Sequence, residues 1–115
     1  RKSNAVGAVI HIHSTYATLW SCLPHENLQD CVPDYTPYLK MKLGTVGLVP
    51  YAKPGSPELF AAFEASMPQS DGWLLAHHGL VAPGKDLMSA FGCAEELEES
   101  CRIAWELQGR GVETI

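Results

Sequence analysis

The segment Ala5-Val6-Gly7-Ala8-Val9-Ile10-His11-Ile12-His13 constrains this chain more than any other. Its apolar, partly β-branched run predicts a buried strand over residues 5–13 that ends in His-x-His. A strand sends successive side chains to opposite faces. His11 and His13 therefore share one face, and Ile10 and Ile12 share the other. Two imidazoles spaced in this way can hold one divalent cation from one side. The same pattern also suits two hydrogen-bonded surface histidines, and a further ligand from elsewhere in the chain separates the readings.

The candidate for that ligand lies in the run 72–84, Gly-Trp-Leu-Leu-Ala-His-His-Gly-Leu-Val-Ala-Pro-Gly. An apolar stretch enters, His77-His78-Gly79 reverses the chain, and a second apolar stretch leaves. Glycine permits a tight reversal, so a hairpin is predicted over 72–83 with its histidines at a strand end. Neighbouring side chains on a strand diverge, so at most one of His77 and His78 faces a shared point; the other is free to hydrogen-bond the turn.

The chain has 115 residues, enough for one domain with a modest core. Apolar residues make up 46% and charged residues 18%, the balance of a globular protein rather than a disordered one. The formal net charge of −5 and the lack of a basic patch argue against nucleic acid as a partner. No apolar run approaches the ~20 residues that span a bilayer, and no signal peptide opens the sequence, so a cytoplasmic protein without a membrane partner is expected. Cys22, Cys31, Cys93 and Cys101 form no CxxC pair. They read as scattered reduced thiols, with Cys22–Cys31 the one local disulfide left open.

The remaining patterns alternate in type. Ser14 is placed to cap a helix over about 15–23, with Tyr16, Leu19, Trp20 and Leu23 on one face. Residues 24–44 read as irregular. Thr45–Tyr51 reads as a short strand. Ser56-Pro57-Glu58 is a helix start (capping hydroxyl, proline at the first helical position, acid in the first turn), and that helix runs to about Met67. A last helix is predicted from Asp86 to Gln108, with Leu87, Phe91, Ala94, Leu97, Cys101, Ala104 and Leu107 inward and the glutamates of 95–106 solvated. Tyr16, Trp20, Trp73 and Trp105 read as core or subunit contacts, and His25 as a surface residue.

These residues resemble the class II aldolase/adducin superfamily. His11-x-His13, Thr36-Pro37-Tyr38, Val49-Pro50-Tyr51, His78-Gly79 and the helix around Ala94-Glu95-Glu96-Leu97-Glu98 fall in its order and spacing. The resemblance covers essentially the whole chain, but only the C-terminal part of a typical single domain, residues 1–115. It implies an α/β fold of three layers, α/β/α, with a mostly antiparallel central sheet whose N-terminal part is missing here. It implies His11, His13 and His78 as ligands of a divalent cation, zinc in the first instance. It also implies a lyase that cleaves a C–C bond of a keto-sugar or keto-acid phosphate through a metal-stabilised enediolate, releasing dihydroxyacetone phosphate. Thr36-Pro37-Tyr38, Pro54-Gly55-Ser56 and Pro83-Gly84-Lys85 look most like the 3-oxo-tetronate 4-phosphate decarboxylase branch. His77-His78-Gly79 also fits the L-fuculose-phosphate aldolases. Neutral imidazoles leave the cation strongly electrophilic, which suits that chemistry.

The family also implies a homotetramer with active sites at subunit boundaries and a small phosphorylated sugar or sugar acid as substrate. Its tyrosine proton donor falls in the segment matching 32–40, which holds both Tyr35 and Tyr38; Tyr38 is taken as the candidate. The family's acid–base glutamate lies roughly twenty residues before the His-x-His, and its phosphate loops lie upstream as well. His11 stands only ten residues into this sequence. A piece of a longer protein, inactive by itself, is the expectation. A sugar-phosphate 4-epimerase shares such a site and stays an alternative. An adducin-like interaction module is the other, although family scaffolds lack the histidines present here.

Overall fold

A computed structural model describes residues 6–115. Ala5, the first residue of the expected opening strand, lies outside them. Strand β1 spans Ala8–Ile12, β2 Val46–Val49, β3 Gly72–Leu75 and β4 Gly79–Gly84. They form one sheet in the order β1-β4-β3-β2, with antiparallel pairing except between β2 and β3. The parallel pair needs a crossover, and helix α3 (Pro57–Ser66) supplies it. Helices α1 (Thr15–Ser21), α2 (Tyr38–Lys42) and α4 (Leu87–Leu107) gather on the other face. The mixed α/β architecture with a mostly antiparallel sheet between helices is the expected one.

The period-2 alternation of the strands sorts the core into two clusters. Leu48, Leu74, Leu80 and Ala82 point toward Ala94, Leu97, Cys101 and Ala104 of α4. Val49, Trp73, Leu75 and Val81 point toward Leu59 of α3. The Trp20 indole donates to the Cys31 carbonyl at 2.9 Å, and the Trp73 indole to the Ser66 carbonyl at 3.2 Å, so both rings bury with their N–H groups satisfied. The outer edge of β2 is closed by the 28–31 loop, through Cys31 N–H to Val46 O and Leu48 N–H to Leu28 O, both 2.8 Å.

The starts of α3 and α4 follow their capping residues, and that of α1 does not. Ser56 Oγ accepts from Leu59 N–H at 3.2 Å, and Asp86 Oδ1 from Ser89 N–H at 2.8 Å. Ser14 stands at the same position before α1, but its hydroxyl caps nothing and is buried without a partner among the described residues. The amides of that turn go instead to α4. Tyr16 N–H donates to Glu98 Oε2 at 3.0 Å, and Ala17 N–H to Glu98 Oε1 at 2.8 Å.

Several expectations are corrected. Glu98 is not a solvated residue of an acidic face. The inward face of α4 runs through Ala90, Cys93, Ala94, Leu97, Cys101 and Ala104, and at about 100° per residue Leu87 and Phe91 fall to one side of that stripe, 65% and 49% exposed. The stretch 24–44 is not wholly irregular: Pro37 opens α2, and Lys40 bonds Asp30 and Asp34 at 3.0 and 3.1 Å. His25 is half-buried, with Nε2 2.8 Å from the Trp20 carbonyl and its ring against the indole. Cys22 and Cys31 are free thiols, one exposed and one buried. Burial, with Asp30 nearby, pushes the Cys31 thiol up to about 12.

Candidate metal centre

Strand β1 carries His11 and leaves the sheet at Ile12, so His13 falls just before α1. The β1–β4 register sets His11 opposite Val81 and Ile12 opposite Leu80. That pairing brings the β3–β4 turn beside the end of β1. His77 takes φ +59° in the turn, a left-handed conformation uncommon for a residue with a side chain. The reversal separates the two histidines. His77 is exposed and meets Tyr51 edge-on at 5.8 Å, while His78 turns toward β1.

Gly79 makes the close approach possible. A side chain there would be driven into the Ile12 carbonyl and against the His13 backbone. Glycine is thus required here by contact and not, as expected, by the turn, whose left-handed residue is His77.

The rings of His11, His13 and His78 meet with centroids 5.1, 4.9 and 4.8 Å apart, and a nitrogen of each lies within 4.8 Å of the others. The three rings also suit a metal chemically. His11 Nδ1 lies 2.8 Å from the Leu80 carbonyl oxygen. A carbonyl only accepts, so in the neutral ring Nδ1 holds the proton and Nε2 offers its lone pair. Such a backbone partner is the usual orienting contact of a metal-ligating histidine. Burial, together with the neighbouring His11 and His13, lowers the pKa of His78, which favours the neutral ring that a cation needs. If zinc bound here, His11, His13 and His78 would be the residues to hold it. Three neutral ligands on one side leave open the positions that a substrate would occupy.

An open cavity of about 430 Å³ runs from the histidines between β1, β4 and α3. Its walls are largely apolar: Val9, Phe60, Phe63, Trp73 and Pro83 line it along with His11 and His78.

Tyr38 is not brought to these histidines. It is 57% exposed on α2, which packs against α4 on the other face of the sheet. Tyr35 packs half-buried against the core on that same side. Sequence reasoning passed over the Leu80 carbonyl and the Glu98 carboxylate. A carbonyl leaves no signature in side-chain identity. Glu98 lay hidden among neighbouring glutamates, although it falls one position after the inward Leu97.

Residues 1–105 match the Class II Aldolase and Adducin N-terminal domain. The 3-oxo-tetronate 4-phosphate decarboxylase of Haemophilus influenzae is 36% identical over 112 residues, covering 97% of this chain and 53% of that protein. The L-fuculose phosphate aldolase of Methanocaldococcus jannaschii is 36% identical over 103 residues, covering 90% and 53%. The crystal structure of YgbL from Klebsiella pneumoniae superposes with a TM-score of 0.88 at 38% identity, covering 95% of this chain and 53% of that one. The chain spans about half the length of the curated relatives it matches.

Proposed function

The chain belongs to the class II aldolase and adducin family, and on that premise we propose that it provides the metal centre of a carbon–carbon lyase acting on a keto-acid or keto-sugar phosphate. The carrying observation is the convergence of His11, His13 and His78, with His11 Nδ1 committed to the Leu80 carbonyl. Zinc is the cation this donor set suits first, since three imidazoles with open positions form a common catalytic zinc geometry.

A bound cation would supply Lewis acidity to a substrate carbonyl, drawing off the electron pair released when the neighbouring C–C bond breaks. His11, His13 and His78 hold it without adding negative charge. Leu80 O keeps His11 in the tautomer that binds. The carbon left after cleavage must take up a proton, and the Tyr38 hydroxyl is the donor we assign. Because Tyr38 lies across the sheet from its own histidines, it would serve the site of a neighbouring copy, in keeping with the homotetramer that the family resemblance implies.

Decarboxylation of a 3-oxo acid phosphate is the first choice, as in the relative from H. influenzae. Aldol cleavage of a ketose 1-phosphate is second, as in the relative from M. jannaschii. The test is to incubate the zinc-loaded intact protein with 3-oxo-tetronate 4-phosphate and, separately, with fuculose 1-phosphate, assaying dihydroxyacetone phosphate and carbon dioxide. Both products from the first substrate support decarboxylation. Dihydroxyacetone phosphate from the second, without carbon dioxide, supports the aldolase. No product from either, with bound zinc confirmed, removes both.

A further inference from the structure

We infer that Glu98 is a positioning residue of the metal centre: by holding the first turn of α1 it fixes the separation between His13 and the His77–His78 turn. The inference rests on the three histidines being metal ligands and adds a residue from α4 that touches none of them.

Helix α1 joins both halves of the centre. Its first residue, Thr15, stands two positions after His13, so any shift of that turn moves the His13 backbone. At its other side the helix grips the β3–β4 turn. The Thr18 hydroxyl donates to the His78 carbonyl at 3.4 Å, and His77 N–H donates to the Ser21 carbonyl at 3.4 Å. A helix of seven residues has little stability by itself, and its position depends on what holds its ends.

The N-terminal end is not held locally. Ser14 has the extended backbone of a capping residue, yet its hydroxyl makes no cap bond. Both oxygens of Glu98 take that role, on the amides of Tyr16 and Ala17 at 3.0 and 2.8 Å. Those are the second and third amides of the helix, the ones a capping side chain ordinarily serves. A carboxylate there also meets the positive end of the helix dipole. Since α4 packs along β4 and β1, the carboxylate ties α1 to the same sheet that carries His11. His13 is then set from two sides, by Gly79 against its backbone and by Glu98 through α1.

The test measures metal binding in the intact protein and in Glu98→Ala, Glu98→Gln and Asp86→Ala. Zinc affinity is read by competition with a chromophoric chelator, and the cobalt(II) absorption spectrum reports coordination geometry. Asp86→Ala is the control. It removes a helix cap of the same kind from α4, at the end of the β1–β4 pair remote from the histidines. We expect Glu98→Ala to weaken zinc binding about tenfold or more, in the range for losing a group that orients a metal ligand, and to change the cobalt spectrum. Glu98→Gln keeps one carbonyl oxygen and should fall between. Asp86→Ala should bind within about twofold of the parent although its melting temperature drops. Glutamate variants that bind within twofold of the parent, with a thermal loss matching Asp86→Ala, overturn the inference and leave Glu98 a structural cap. If Glu98→Ala does not fold, Glu98→Gln decides by the same criterion. A parent protein that binds neither ion overturns the metal centre itself, and this inference with it, whereas binding in the parent and equal binding in the variants removes only the role of Glu98.

Discussion

The two faces of the sheet are built from the same strands and finished differently. On the α4 side, Leu74, Leu80, Ala82 and Leu97 are fully enclosed, and α1, α2 and α4 meet above them. On the α3 side, one helix covers β2 and β3 and stops short of β1, where Val9 is 57% exposed and Phe60 66%. His11 faces this open side while Ile10, its neighbour on the strand, packs into the closed one. The proposed ligands are thus mounted on a strand pair whose reverse side is closed. An accessible site of this kind can be rigid without being buried.

The strongest way to break the comparison is on the open face. Replacing His11, His13 or His78 with Ala should weaken zinc binding by about a hundredfold or more, because two imidazoles make a poor site. Equilibrium dialysis checks it, and the fold should survive because none of the three supports the core. The reverse experiment is Leu74→Ala. It opens a cavity on the closed face and should lower stability by about 2–5 kcal/mol in denaturant titration. Gly79→Ala tests the seam between the faces. Its methyl meets the Ile12 carbonyl, and a loss of about 1–3 kcal/mol is expected, together with weaker zinc binding.

A smaller effect follows from His78. Its pKa is lowered in the folded chain by burial and by its histidine neighbours. The unfolded chain therefore takes up the proton more readily. The stability this group contributes is present above the unfolded value of about 6.5 and is lost as pH falls through the lowered folded value. The urea midpoint of the metal-free protein should drop between pH 7.5 and 5.5, and less so in His78→Gln. The smallest effect belongs to Phe60→Ser, which should change stability by under about 0.5 kcal/mol. A loss as large as that of Leu74→Ala would show that the open face is closed in solution.

How much of this was legible depends on which interactions each segment uses. The hairpin 72–83, the start of α3 and the span of α4 were readable because apolar runs and capping residues are local signals, although the left-handed residue of the hairpin turn is His77 and not the expected Gly79. Placing Leu87 and Phe91 on the inward face of the last helix was a misreading of its period, since both fall to one side of the buried stripe. The convergence of His11, His13 and His78 was anticipated from strand alternation and from the family resemblance, and the rings do meet. The cap of α1 was not legible. Ser14 carries the right side chain in the right place, but a carboxylate from a helix far along the sequence takes its amides. Helix α2 was missed for a similar reason. Its five residues have too little periodicity to register, and Lys40 holds it to Asp30 and Asp34 through space.

The pairing of β1 with β4 bears on how the chain acquires its form. His11 and the Leu80 carbonyl that orients it are 69 residues apart in sequence, whereas β3 and β4 close through a short turn. Local pairing is fast, and distant pairing carries the entropy of closing a long loop. The hairpin that presents His78 should therefore organise early and wait for β1. Until β1 docks, the three imidazoles have no common centre. Refolding in the presence of cobalt(II) should then show its absorption appear with the slowest step that builds the sheet, so the ion would record the arrival of the last strand.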